Sequence, residues 1–170
     1  MKIEAAKVDS GKWLTFWLAG ELFGVRVEDV QEVLMNQPLT AVPLAADHIV
    51  GLLNLRGQIL QAIDLRRRLH FPPREPGQQS SLMVVKQADN FVSLLVDGIG
   101  DVLELPPEKW RPPPDTLAQV HRSFVLGICP IEKHVVLGLR VESLSGDSDY
   151  APLRESPHAQ RTSSLPGQEN

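Results

Sequence analysis

Val50-Gly51-Leu52-Leu53-Asn54-Leu55-Arg56-Gly57-Gln58-Ile59-Leu60-Gln61-Ala62-Ile63-Asp64-Leu65 decides the fold. Two apolar runs, Ile49-Val50-Gly51-Leu52 and Ile59 to Leu65, flank the polar Asn54-Leu55-Arg56-Gly57. Short apolar runs rich in branched residues, separated by a turn with a glycine free to take positive φ, predict two β-strands. Upstream, Pro38 and Pro43 bracket a short extended connection. Val30 to Leu34 has spacing that would suit one helical turn, but its valines and its shortness predict a strand. Trp13–Leu18 and Phe23–Val27 form a hairpin around Ala19-Gly20-Glu21. Downstream, Leu65–Phe71 reads as a short helix ended by Pro72-Pro73, and Arg74–Ser81 as a polar loop. Leu82–Val85 and Phe91–Val96 make a second hairpin around Ala88-Asp89-Asn90. A proline-rich crossing, 106–114, leads to the last strands, Ser123–Ile128 and Val135–Val141.

The whole is all-β with minor short helices, and its halves resemble each other. The hairpin with Phe23 parallels the one with Phe91, although Leu18 then falls opposite Lys86. Val30-x-Glu32-Val33-Leu34 parallels Ile99-x-Asp101-Val102-Leu103, and Val50-Gly51-Leu52 parallels Leu126-Gly127-Ile128. Two similar lobes follow, about 12–75 and 80–145, with strand exchange between them possible. Residues 1–11 form an N-terminal arm. In 146–170 Ser, Pro, Gly and charge displace apolar residues, and a disordered tail is expected.

At 170 residues with 42% hydrophobic and 22% charged, the chain can bury a sizeable core. Its formal net charge of −4 argues against a nucleic-acid partner, which would call for a basic face. The run Arg66-Arg67-Arg68 is expected to be solubilising surface charge. A single cysteine, Cys129, excludes an intrachain disulfide and fits a reducing compartment. In its apolar setting it is expected to be an inert buried thiol. The first eleven residues lack the apolar stretch of a secretory signal, and no apolar run reaches the ~18 residues that span a bilayer. A cytoplasmic protein with no direct membrane insertion is expected.

Motifs that carry chemistry are missing. Asp97-Gly98-Ile99-Gly100-Asp101 contains a G-x-G, but strand continues after it instead of the helix a dinucleotide site needs, so a tight turn or bulge is predicted. Asp97 and Asp101 are expected to satisfy local backbone N–H groups. The five histidines are scattered, without metal-ligand spacing, and neither a phosphate loop nor a nucleophile elbow is present. No catalytic residue, metal or cofactor is expected. The polar turn remains: an arginine there offers a planar fork of donors suited to a partner's carboxylate or carbonyls.

These residues resemble the CheW-like family, coupling proteins of bacterial chemotaxis arrays. Phe23-Gly24-Val25-x-Val27, Val30-Gln31-Glu32-Val33-Leu34, Val42-Pro43, Val50 to Ile59, Ile63-Asp64-Leu65-Arg66 and Val96-Asp97-x-Ile99-Gly100-Asp101-Val102-Leu103 carry the likeness. Gly51 through Arg66 is its most specific stretch. The resemblance implies two SH3-like five-stranded β-barrel lobes packed through a shared hydrophobic core. It implies a non-enzymatic adaptor that joins the cytoplasmic tips of chemoreceptors to the CheW-like regulatory domain of a CheA-type histidine kinase. The protein would be associated with receptor arrays through protein contacts. By position, Arg56 would lie at the receptor groove, Val30, Glu32 and Val33 on a neighbouring strand, and Leu82 nearby; the kinase-binding residues are unassigned. Arg140 stands where many members have an acidic residue. The length leaves no room for a kinase or receiver domain, so a free-standing adaptor is expected. A scaffold of another chemosensory pathway, such as one controlling type IV pilus motility or gene expression, is the alternative. An enzyme on a β scaffold is the third class.

Overall fold

The computed structural model describes residues 11–35 and 37–144, so the tail 146–170 and all of the arm but Gly11 lie outside the described residues. Its strands are β1 (Gly11–Leu18), β2 (Glu21–Arg26), β3 (Val30–Leu34), β4 (Ile49–Leu55), β5 (Gln58–Asp64), β6 (Ser81–Gln87), β7 (Asn90–Val96), β8 (Gly98–Leu105), β9 (Val125–Pro130) and β10 (Val135–Leu139). The α-helices are single turns, α1 (Leu65–Arg68) and α2 (Gln119–Arg122). The protein is therefore all-β with a few short helices. Lobe I is a five-stranded sheet in the order β8-β1-β2-β10-β9, and lobe II one in the order β3-β6-β7-β5-β4.

Neither sheet coincides with one half of the sequence. Lobe I joins the first hairpin, β1–β2, to β8, β9 and β10; lobe II joins the second hairpin, β6–β7, to β3, β4 and β5. Each guest strand enters beside its host hairpin in parallel: β10 along β2, and β5 along β7. The spans 12–75 and 80–145 thus each feed both sheets.

The halves correspond one residue away from the Phe23–Phe91 match. The hairpins close at Leu18–Glu21 and at Gln87–Asn90, which sets Leu18 against Gln87 and Phe23 against Val92. All four are buried, whereas Lys86 is exposed. A one-residue slip exchanges the faces of a strand, and burial decides the register.

Burial on both faces follows from this pairing. One cluster lies between the sheets, with Leu14, Phe16, Phe23 and Val25 from lobe I against Ile63, Met83, Val85, Val92 and Leu94 from lobe II. On its far side each sheet wraps a smaller core. Trp13, Leu22, Trp110, Cys129 and Val136 fill lobe I, while Leu53, Leu60 and Val84 fill lobe II. Matching glycines let a connecting segment lie flat on each edge strand. A Cβ on Gly51 would meet the Thr40 carbonyl oxygen at 2.8 Å, and one on Gly127 the Arg111 carbonyl oxygen at 2.7 Å. Thr40 bridges Leu52 and Arg111 bridges Ile128, each through paired backbone hydrogen bonds.

Several local expectations change. β4 runs on through Asn54 and Leu55, leaving only Arg56-Gly57 as the turn. The predicted helix 65–71 is helical only over Leu65–Arg68. Residues 119–122 form α2, so the strand expected from Ser123 starts at Val125, and Val141 belongs to a 3-10 turn beyond β10. Gly98 and Gly100 sit in β8, where a bulge faces Thr15; a Cβ on Gly100 would lie 2.5 Å from the Thr15 Oγ1.

Candidate functional site

The β4–β5 turn holds Arg56 and Gly57 at φ 50° and 86°. Asn54 makes this possible: its Oδ1 accepts the Gly57 N–H at 3.0 Å, closing the turn from below. The turn projects Arg56 back across the mouth of lobe II. There its Nη1 and Nη2 donate to the two carboxylate oxygens of Glu32 at 2.9 and 3.2 Å. β3 and β4 are opposite edges of the sheet, so this ion pair joins one edge strand to the turn that leaves the other. The arginine is 75% exposed and Glu32 23%. A cleft of about 150 Å³ opens between them, lined by Gln31, Gln58, Leu55, Leu60, Val84 and Phe91. Elsewhere on this lobe Val33 on β3, Met35 just after it and Ile59 on β5 leave apolar surface exposed.

The expected site residues do not share one surface. Arg56 and Glu32 touch, and Val33, on the outward side of β3, is 40% exposed. Val30 leans into the shared core. Leu82 is 3% exposed and pairs with Leu34 across β3 and β6, so its side chain is buried in lobe II. Gln31 and Gln58 also line the cleft; both lie in stretches that carry the family likeness, but neither was singled out as a site residue.

A second arginine cluster holds the lobes in place. In Arg66-Arg67-Arg68 only the middle arginine is exposed; its two neighbours are not solvated surface charge. Arg66 is buried, and its Nε and Nη2 reach both oxygens of Asp97 at 2.6–3.1 Å. Arg74 donates to Asp97 Oδ1 at 2.8 Å, and the Ala19 N–H donates to Oδ2 at 2.8 Å. Asp97 also gives its own N–H to the Trp17 carbonyl. It therefore clasps the β1–β2 turn of lobe I with its backbone and carboxylate, and two cations of lobe II with the carboxylate alone. Burial pushes this carboxyl up, but the hydrogen bonds from Arg66, Ala19 and Arg74 win and hold it below the usual range. The Asp97 contact to Ala19 spans 78 residues, so it is not the local turn contact expected. Asp64 caps α1 by accepting the Arg66 N–H. Arg68 lies over the Phe124 ring and donates to the Leu144 carbonyl at 2.6 Å. Ile63–Arg66 and Val96–Asp97, two of the stretches that carry the family likeness, thus meet in one ion network.

Lobe I bears a larger cleft of about 400 Å³ where the β1–β2 turn faces the β9–β10 loop, walled by Trp17, Leu22, Ile131 and Val135. Cys129 is buried behind it, and burial raises its thiol, with Lys109 and Arg111 opposing. Among the described residues, no group of three His, Cys, Asp or Glu converges as metal ligands, and no helix is long and apolar enough to cross a membrane.

Comparison with known proteins places this geometry. Residues 12–149 match the family described as CheW-like domain. A probable chemotaxis protein CheW of Rhizobium etli is 30% identical over 136 residues, covering 80% of this chain and 88% of that protein. Protein PilI of Pseudomonas aeruginosa is 26% identical over 121 residues, 71% of this chain and 68% of that one. The crystal structure of scaffolding protein TtCheW from Thermoanaerobacter tengcongensis superposes with a TM-score of 0.77 at 28% identity, covering 85% of this chain and 98% of that one. Two five-stranded lobes on a shared core are the architecture that this likeness covers, and the chain belongs to the CheW-like family.

Proposed function

We propose that this protein is a non-enzymatic cytoplasmic adaptor that couples chemoreceptors to a CheA-type histidine kinase. The observation that carries the reading is the Arg56–Glu32 pair at the mouth of lobe II, over a cleft floored by Leu55, Leu60, Val84 and Phe91. An apolar floor with a polar rim suits the face of a receptor helix, and the guanidinium keeps N–H groups for that helix's acceptors. The receptor contact comprises Arg56, Glu32 and Val33. Val30 and Leu82 act from behind, by setting the path of β3. The kinase meets another surface, so the coupler holds both partners at high local concentration.

Binding of a receptor cytoplasmic fragment and of the kinase regulatory domain tests this. Arg56→Glu removes a donor and opposes Glu32. Receptor affinity should fall tenfold or more, about 1.4 kcal/mol, while kinase affinity changes little and the melting temperature stays near wild type. Equal loss of both partners together with a marked loss of stability would make Arg56 a structural residue. The match to Protein PilI supports a second reading, a scaffold in a chemosensory pathway with another output. Pull-down from the native cell, with identification of the bound kinase and receptor, separates the two.

A further inference from the structure

The chain crosses between the lobes twice in corresponding places, and the two crossings carry opposite electrostatics. The hairpins set Phe23 on Val92, and therefore Gly24 on Ser93. Parallel pairing puts Gly138 beside Gly24 and Ala62 beside Ser93, so Ala62 corresponds to Gly138. Helix α1 after β5 then corresponds to the 3-10 turn 141–143 after β10. The details agree. Buried Leu65 answers to buried Val141, and the Asp64 N–H on the His48 carbonyl answers to the Arg140 N–H on the Phe124 carbonyl. Carried through both crossings, the correspondence sets Asp97 on Glu28 and Arg66 on Glu142.

Asp97 is the single residue between β7 of lobe II and β8 of lobe I. Arg66, Arg74 and the Ala19 N–H all bond its carboxylate, so this crossing is fastened by charge-assisted bonds. Glu28 lies in the 3-10 turn 27–29, between β2 of lobe I and β3 of lobe II. Here a carboxylate, Glu142, stands where Arg66 stands in the other half. Burial and then Glu28 push the neighbouring Asp29 carboxyl above its usual range; Glu142 adds to them, against Arg26 and Lys86. Arg26 reaches Glu28 at 3.5 Å, but from the adjoining end of β2, so that pair does not join the lobes. The turns 27–29 and 141–143 both lie against β6 of lobe II. A neutral bond crosses there, from Gln87 Nε2 to the Val141 carbonyl at 2.8 Å.

Charge-assisted bonds are roughly twice as strong as neutral ones, and local opening begins where the holding contacts are weakest. Hinges form at the few residues where elements end. We propose that the lobes hinge about Asp97: the seam opens where the turns 27–29 and 141–143 lie on β6, while the crossing at Asp97 stays shut. Opening lifts the start of β3, because Val30 follows the first turn directly and packs on the shared core. The device is intrinsic to the chain and needs no particular receptor or kinase.

Hydrogen exchange of the full chain at neutral pH, resolved by residue with NMR, tests it. The reporters are amides whose bonds lie at the two crossings. Val30 donates to the Val27 carbonyl and Leu144 to the Val141 carbonyl at one, while Ala19 donates to Asp97 and Asp97 to the Trp17 carbonyl at the other. In the wild type, protection at Val30 and Leu144 should be lower than at Ala19 and Asp97 by about tenfold or more. Glu142 is exposed, so substitutions there leave the core intact. Glu142→Arg restores the cation that the other crossing has. It should raise protection at Val30 and Leu144 by about tenfold and leave Ala19 and Asp97 unchanged. Glu142→Gln removes a like charge without adding a bond, and should raise it less. Equal protection at the two crossings in the wild type would overturn the proposal. So would a Glu142→Arg protein no better protected at Val30 than Glu142→Gln, or one whose four reporters all rise together, which is global stabilisation and not closure of one crossing.

Discussion

Asp97→Asn leaves Arg66 and Arg74 buried beside a neutral group. Both lose a charge-assisted bond, and Arg66 loses the partner that raises its own pKa. Breaking a buried pair in this way costs about 3–5 kcal/mol. For a domain of this size the melting temperature should fall by roughly 10–15 °C, and a fall of only a degree or two would mean that solvent reaches the cluster. The same carboxylate sets an acid limit. Its folded-state pKa lies below the unfolded one, about 3.9, so its stabilisation is complete above that value and is lost as pH falls through the lower folded value. Urea melts of the wild type should weaken steeply below about pH 4, and those of Asp97→Asn less so. None of this was legible in Arg66-Arg67-Arg68. A charge run reads as solvated because its partners, at Asp97 and Leu144, lie far along the chain and come near only after folding. The turn that carries Arg56 was legible because its setting is local: an acceptor in Asn54, a glycine at 57, and strand on either side.

Single strands were readable for the same reason. Alternation and turn residues report on a few neighbours at a time, and the strand cores fell where that pattern put them. Helix α2 gave no signal, because a four-residue turn is shorter than one useful helical period. Register between the halves was misjudged by one residue. The aromatic match of Phe23 with Phe91 competed with the turn match of Ala19-Gly20 with Ala88-Asp89, and side-chain likeness is weaker than backbone geometry: Ala19 and Ala88 both take φ 51°. Gly51 and Gly127 are where this symmetry can be tested. An added Cβ at either would meet a backbone carbonyl already fixed by paired hydrogen bonds. Gly51→Ala and Gly127→Ala should each destabilise by about 1–3 kcal/mol, read by chemical denaturation. If either is neutral, the covering segment is free to lift from that edge strand.

At the scale of the molecule, the likeness between halves reported the number of lobes and concealed their composition. Strand pairing is long-range, and no local pattern says whether β3 joins the hairpin before it or the one after it. The observed exchange predicts that fragments 1–78 and 79–170, made separately, show no cooperative unfolding. Each holds one hairpin and three strands that belong to the other sheet. Mixed, they should regain a cooperative transition, followed by circular dichroism. Cooperative folding of either fragment alone would show that a hairpin can pair with its own half's strands.

The exchange also sets an order in time. Lobe II takes its strands from Val30 to Val96, so it is complete once β7 has left the ribosome. Lobe I cannot close until β10, ending at Leu139, has followed. Translation at about 5–20 residues per second makes that a delay on the order of seconds. Throughout it the hairpin of Trp13, Phe16 and Phe23 has already been made and has nothing to pair with on its β2 side. The first residues synthesised are among the last to find their sheet, and a nascent chain stalled between Val96 and Leu139 is the form most in need of a chaperone.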